Sequence, residues 1–158
     1  MSKISPCLWF DGDAEEAANF YITLLPNSRI DHVQRSPVDY PGGNRGGVLM
    51  VAFTLAGQSF QGLNGGSKIE HSNAISFSID CADQAEVDGL WGKLLEGGGE
   101  EVACSWIKDR YGMSWQIVPS IMPKYLADPD PAKAERVMRA MMGMVKLDIA
   151  ALQKAYEG

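Results

Sequence analysis

The sequence predicts an α+β fold in which one βαβββ module occurs twice and a helical tail follows. The first observation is a repeated motif, Gly-x-Ser-aromatic-Gln, found at residues 57–61 and again at residues 112–116. The second is that each copy closes a segment of the same plan, opened by an apolar run and an acidic helix start. These observations predict a single domain over residues 1–158, with module 1 at about 3–66, module 2 at about 73–119 and a helical extension at 120–158.

Composition narrows the class of protein. A chain of 158 residues is long enough for one well-cored domain, whereas one module alone would be marginal. Its 14 basic and 20 acidic side chains give a net charge of −6 without a basic stripe, so nucleic acid is not an expected partner. Three cysteines without Cys-x-x-Cys spacing, and an N-terminus without a signal-like pattern, favour a cytoplasmic setting. Apolar runs are too short for a membrane span.

Module 1 is predicted to start with a strand at 7–10 and a helix from Ala14, with Asp13 as its N-cap. Alternation then predicts three strands, and the turn Ala56-Gly57 joins the last two. Module 2 repeats this order, with Asp83 as the helix N-cap. The predicted strands are 30–35, 48–55 and 59–63 in module 1, and 75–80, 101–106, a short piece near Ile107, and 114–118 in module 2.

The tail is predicted to be helical around 121–126, from Asp130-Pro131 through Met142, and from Asp148 through Tyr156. Its apolar stripe is expected to be buried in packing, on the sheet of the same chain or on that of a partner, and not to bind a ligand. The stripe consists of Val137, Met138, Met141 and Met142.

Strand alternation separates two sheet faces, because successive side chains point to opposite sides. One face is expected to receive the helices and carries Trp9, Phe60, Ile75, Phe77, Ile79, Trp115 and Ile117. The other carries Leu8, Phe10, Ser59, Gln61, Leu63, Ser76, Ser78, Ser114, Gln116 and Val118. Uncharged polar groups among apolar ones favour a ligand pocket over a solvated face. Trp106, of unassigned face, is the candidate aromatic wall.

Three segments carry a family resemblance: residues 8–17 with Phe20-Tyr21, residues 63–66, and residues 106–119. Nearly the whole chain resembles the PhnB-like branch of the glyoxalase/bleomycin-resistance/extradiol-dioxygenase superfamily, also called vicinal oxygen chelate proteins. The resemblance implies paired modules that form a curved mixed sheet around a cavity, often in a homodimer. Whether modules pair within one chain or across a dimer is left open.

The resemblance also implies four ligand positions in metal-dependent members, commonly two histidines and two glutamates. Here these positions fall on Pro6, Ala74, Gln61 and Gln116, which are poor ligands for zinc or nickel, so no metal site is predicted. The two histidines, His32 and His71, are expected elsewhere, although His71 with Glu70 could reach a pocket rim.

This branch is often labelled 3-demethylubiquinone-9 3-methyltransferase. A site for S-adenosylmethionine is not predicted, because the glycine-rich segment 42–47 follows no strand-loop-helix pattern, and no cofactor is expected. Cys104 is expected to be a buried structural thiol, and Asp109-Arg110 a hairpin turn whose charges are solvated or paired locally.

These residues favour a metal-free, dimeric, small-molecule binding protein. Its predicted ligand contacts are Gln61, Gln116, Ser76, Ser78, Leu8, Phe10, Leu63 and Trp106. The alternatives are an enzyme of lyase, isomerase or dioxygenase type acting on a small oxygenated substrate, and a partner-binding dimer whose cavity is vestigial. No catalytic residue is predicted.

Overall fold

A computed structural model describes residues 3–158, which form two compact units: the first ends at Glu70 and the second is His71–Gly158. The first contains β1 (Cys7–Phe10), α1 (Ala14–Tyr21), β2 (Arg29–Arg35), β3 (Val48–Leu55) and β4 (Gln58–Asn64). The second contains β5 (Phe77–Cys81), α2 (Gln84–Leu95), β6 (Glu100–Glu101), β7 (Trp106–Lys108), β8 (Ser114–Pro119), α3 (Met122–Leu126), α4 (Pro131–Met142) and α5 (Ile149–Glu157). The α+β class and the repeated strand-helix-three-strand order are confirmed.

Both sheets have the same topology. The first has the order β1-β4-β3-β2 and the second the order β5-β8-β7-β6. In each sheet the first and last strands of the unit are parallel, and the remaining pairs are antiparallel. The repeated sequence motif therefore lies on β4 and β8, the two strands that occupy equivalent positions in their sheets.

The first sheet packs α1 against one apolar face. Tyr21 of the helix is 1% exposed and stacks on Phe53, with ring centroids 6.1 Å apart. Phe53 in turn stacks on Phe60 of the neighbouring strand at 5.4 Å. Burial of each such ring contributes about 2 kcal/mol to folding, before entropy is subtracted.

The second sheet buries Ile79, Trp115 and Ile117 on the face against α2, as alternation predicts. Ile75 does not join them, because the strand begins two residues later at Phe77 and leaves Ile75 74% exposed. Helix periodicity predicts an apolar face on α2 made of Val87, Leu90, Trp91, Leu94 and Leu95, and all of these except the partly buried Leu95 are buried.

The two helices begin with different caps. Asp13 makes no side-chain capping bond. Instead, Oδ1 of Asn64 accepts hydrogen bonds from the backbone N of Gly12, at 3.1 Å, and of Ala14, at 3.0 Å. On α2 the predicted cap is confirmed: Asp83 Oδ1 accepts from Glu86 N at 2.9 Å. Glu86 Oε2 accepts from the N–H of Ala82, the residue before the cap, at 2.7 Å, an arrangement close to a capping box.

The C-terminal extension forms its own apolar cluster. Met122, Val137, Leu147 and Leu152 are buried there, and Val118 at the end of β8 packs against them. Asp130 and Asp148 cap α4 and α5 as predicted. The predicted stripe on α4 is only partly buried, since Met138 is 40% and Met142 57% exposed.

Across residues 3–158, no helix has the length and apolar character needed to cross a membrane.

Candidate ligand-binding faces

Strand pairing decides which residues of β1 face away from α1. The parallel register places Cys7 beside Gln61 and Trp9 beside Leu63 on the open face. Leu8 and Phe10 pair with Gly62 and Asn64 and are only 7% and 5% exposed, so the prediction that they line the open face is wrong. Trp9 was expected under the helix, and its indole instead lies on the open side, where Nε1 donates to Ser67 O at 2.7 Å.

The open face of the first sheet contains a concavity of about 590 Å³. Gln61 and Ser59 of β4 and Ala52 and Thr54 of β3 line it, together with Arg29 at the start of β2. Gln61 is half-buried, and its side chain forms no hydrogen bond within the described part of this unit. The amide of Gln61 is therefore available to a ligand.

An ion pair at the edge of the concavity was not expected. Arg29 Nε donates to Asp31 Oδ1 at 2.8 Å, and Thr54 Oγ1 donates to Asp31 Oδ2 at 2.6 Å. A bulge between Ile30 and His32 interrupts the register of β2 at this point. The expectation of an uncharged face is wrong at this edge.

One cross-strand row of the first sheet contains a thiol and an imidazole. Gln61 pairs with Cys7 on one side and Ala52 on the other, and Ala52 pairs with His32. Strand pairing therefore makes Cys7 the cysteine in the same row as Gln61. Both Cys7 and His32 are exposed.

The other two cysteines belong to the second unit. Burial, with the nearby carboxylates of Glu86, Asp80 and Asp83, raises the pKa of the buried Cys81 thiol to about 12. Cys104 is half-exposed, which contradicts the expectation that this thiol is buried.

The open face of the second sheet carries the predicted polar set. Gln116 pairs with Trp106 on β7 and with Ser78 on β5. Its Nε2 donates to Ser76 Oγ at 2.9 Å. The structure thus brings all four predicted residues to one face and resolves the side on which Trp106 lies. Lys108 and Asp80 share that face through their pairing with Ser114 and Val118.

A tight turn precedes Trp106. Cys104 and Ser105 have φ of 59° and 71°, and Trp106 N donates to Ala103 O at 3.3 Å, as in a type I′ turn. Left-handed backbone costs a residue with a Cβ about 1–2 kcal/mol. The Cys104 and Ser105 N–H groups donate to Met144 O and Val145 O, both at 2.9 Å, so the extension holds this turn.

Asp109 organises the hairpin that follows β7. Its Oδ1 accepts from the backbone N of Tyr111 and Met113, at 2.8 and 3.0 Å, and its Oδ2 accepts from Trp115 Nε1 at 2.9 Å. Asp109 is 3% exposed, so its carboxylate is paired locally but not solvated. A Cβ on Gly97 would lie 2.8 Å from the Arg110 guanidinium, which places Arg110 at the end of α2.

The four positions implied for a metal do not offer a fitting set of donors. Pro6 contributes its carbonyl oxygen to the sheet by accepting from Gln61 N at 2.9 Å. Gln116 donates its amide to Ser76, and alanine at position 74 has no donor. Among residues 3–158, no group of three or more His, Cys, Asp or Glu side chains is placed to hold a metal ion. Neutral amides are weak ligands for zinc or nickel.

Two βαβββ units, each with its first and last strands paired in parallel, define the class of protein as vicinal oxygen chelate. Residues 2–118 match the family model described as 3-demethylubiquinone-9 3-methyltransferase. The chain therefore belongs to that family, in the PhnB-like branch of the superfamily. Residues 119–158 lie beyond the matched range.

Solved structures agree with this assignment. A PhnB protein from Bacillus cereus is 32% identical with a TM-score of 0.67, and the match covers 75% of this chain and 99% of that chain. Protein PA1353 from Pseudomonas aeruginosa is 19% identical with a TM-score of 0.62, covers 75% of this chain and 98% of its own, and shows likeness of fold alone. No curated protein matches.

Proposed function

We propose that this chain binds a small molecule on its open sheet faces without using a divalent metal ion. The concavity of about 590 Å³ on the first sheet carries the proposal, because small-ligand sites commonly enclose about 300–1,000 Å³. Gln61 and Ser59 would supply its polar contacts, with Leu63 on the same face. Leu8 and Phe10 are excluded as contacts, since both are buried on the helix side.

The second sheet supports the same function with a different set of groups. The indole of Trp106 offers a flat apolar surface beside the Gln116 amide and the hydroxyls of Ser76 and Ser78. An aromatic surface next to an amide suits a planar, weakly polar guest, which the ring would stack on and the amide would orient.

Methyl transfer, which the family description names, would need a site for S-adenosylmethionine. The glycine-rich segment 42–47 lies between β2 and β3 and precedes a strand, so it does not form the helix N-terminus that such a loop uses to hold a nucleotide. Ligand binding is therefore the better-supported function.

Native mass spectrometry of the protein isolated from its own host tests this function, with elemental analysis of the same sample. We expect a bound small molecule that is released on denaturation, and less than stoichiometric zinc, nickel or manganese. Stoichiometric metal would contradict the metal-free proposal, and turnover of the released compound would favour the enzyme alternative.

The variant Gln61→Ala tests whether the bound molecule lies in the concavity. The variant should lose most of the bound compound, because it removes the amide from the concavity wall. Gln34→Ala is the matched control, since Gln34 is an exposed glutamine on β2 and does not line the concavity. Equal loading of both variants would mean that the compound binds elsewhere.

We also propose that the chain is a cytoplasmic homodimer. The family resemblance supports this, as does exposed apolar surface at Ile75, Met142 and Val145. The same native mass spectrum reports the oligomer mass, and a monomer as the main species would contradict the dimer.

A further inference from the structure

We propose that the concavity of the first unit selects ligands that carry a carboxylate, and that Arg29 is the residue that selects them. This inference rests on the proposed binding function and names the class of ligand. Arg29 and Asp31 are the only charged side chains among the residues that line the concavity, and all its lining residues lie in the described part of the chain. The guanidinium is therefore the one cationic group at this site.

One hydrogen bond holds the guanidinium from one side, and a second one holds the carboxylate that accepts it. Arg29 Nε donates to one oxygen of Asp31, and Thr54 Oγ1 donates to the other. Since Thr54 is only 6% exposed on the central strand β3, it anchors the carboxylate, and the carboxylate then orients the arginine. Orientation before binding lowers the entropy that a ligand would otherwise lose by ordering this side chain.

The other side of the guanidinium is open. The Arg29 side chain is 68% exposed, and within the described residues its two Nη atoms bind no other group. A guanidinium has five N–H donors in a planar fork, and the bond from Nε uses one of them. The two Nη atoms can accordingly hold both oxygens of a ligand carboxylate end-on.

The rest of the concavity is neutral. Ser59, Gln61 and Ala52 continue the wall away from Arg29 and would contact an uncharged part of the ligand. Because Asp31 already compensates the arginine charge and solvent screens the site, the preference for an anion should be moderate, about tenfold and not thousandfold.

A matched pair of probes tests the inference: sodium benzoate and its neutral isostere benzamide. Each is titrated into the full-length, ¹⁵N-labelled protein, and the backbone amide shifts of Ala52, Ser59 and Gln61 report binding. We expect benzoate to bind about tenfold more tightly at low ionic strength, and the ratio to fall as sodium chloride is added.

Arg29→Gln should abolish this preference, because it removes the cation and leaves the Asp31 carboxylate, and the affinity for benzoate should fall more than that for neutral benzamide. Arg35→Gln is the control, because Arg35 lies on the same strand, is exposed, and donates to Gly46 O outside the concavity. Equal affinities in the unmodified protein, or a preference that survives in Arg29→Gln, would overturn selection by Arg29 while leaving ligand binding intact. If neither probe binds, the concavity does not select carboxylates and the inference fails, whereas the proposed function is decided separately by the native mass spectrum.

Discussion

The two units share one topology but stabilise it by different means. In the first unit the start of the helix is held by Asn64, which comes from the last strand of the sheet. In the second unit the helix caps itself through Asp83 and Glu86. The two units thus share the strand order and the apolar face, while the cap comes from a distant residue in the first unit and from local residues in the second.

The open faces of the two sheets also differ. The first sheet presents a concavity with an ion pair at its edge. The second presents Trp106 beside Gln116, and its β6–β7 turn is held by the C-terminal extension. Equivalent topology therefore supports two chemically different surfaces, because side chains on an open face are not constrained by the core.

Asn64→Ala should have the largest effect on stability. It leaves the N–H groups of Gly12 and Ala14 without their acceptor, at a cost of about 3 kcal/mol. It also removes one of the two donors to the Val48 carbonyl, which keeps its hydrogen bond from the Tyr40 hydroxyl. Urea denaturation followed by circular dichroism measures the loss, and hydrogen exchange should localise it to the first unit. Asn19→Ala, at an exposed position on α1, is the control. A loss of under 0.5 kcal/mol for Asn64→Ala, roughly a surface effect, would contradict the capping role.

The double variant Cys104→Asn, Ser105→Gly should stabilise the second unit by about 1 kcal/mol, because asparagine and glycine tolerate left-handed backbone. Ala103→Gly in the same turn should destabilise it, since Ala103 does not have positive φ. Thermal unfolding measures both changes. Destabilisation by the double variant would show that the side chains of Cys104 and Ser105 contribute more than their backbone strain costs.

Asp83→Ala should cost about 1 kcal/mol, less than Asn64→Ala, because only the Glu86 N–H loses its partner and this helix start is exposed to water. The same urea titration measures it. An equal or larger loss than that of Asn64→Ala would reverse the comparison of the two caps.

The smallest effect should be a pH dependence found in the second unit. The hydrogen bond from Tyr156 lowers the pKa of Asp128, with a backbone bond from Asp130 N adding to it, and the Asp128 bond raises the pKa of Tyr156. The stabilisation of the folded state by the Asp128 carboxylate is present when the pH lies above the ordinary carboxyl pKa, and it is lost as the pH falls below about 4. The stabilisation by the Tyr156 hydroxyl is present when the pH lies below the ordinary phenol pKa, and it is lost as the pH rises above about 10.

Hydrogen exchange in α5 across that pH range measures this dependence. Tyr156→Phe should flatten it at both ends, because it removes the hydroxyl that links the two groups. An unchanged profile would show that the Asp128–Tyr156 bond does not hold α5.

Local patterns in the sequence predict most of the fold, and the errors fall where distant strands decide the outcome. Helix periodicity finds Val87, Leu90 and Leu94 because each helix buries one face on its own unit. Alternation in β1 separates Leu8 and Phe10 from Cys7 and Trp9, but all four are apolar, so only pairing with β4 shows which set is buried.

The candidate site is predicted less completely. Strand alternation correctly places Ser76, Ser78 and Gln116 on one face, since the pairing of β5 and β8 is regular. Strand alternation does not place Arg29 and Asp31 at the site, because a bulge changes the register of β2 and no local sequence pattern reveals a bulge. Their one signal is an i, i+2 pair of opposite charges at a strand start, which is common on exposed strands.

The hydrogen bonds from Cys104 and Ser105 to the carbonyls of Met144 and Val145 have an evolutionary consequence. The extension that supplies these carbonyls lies beyond the range matched by the family model. A relative that ends near residue 119 would need Asn-Gly or Gly-Gly in this turn, because nothing would offset the strain of two residues with a Cβ. Placing the Cys-Ser turn without the extension in a shorter member of the family should therefore destabilise that protein by the strain of two left-handed residues, about 1–2 kcal/mol each.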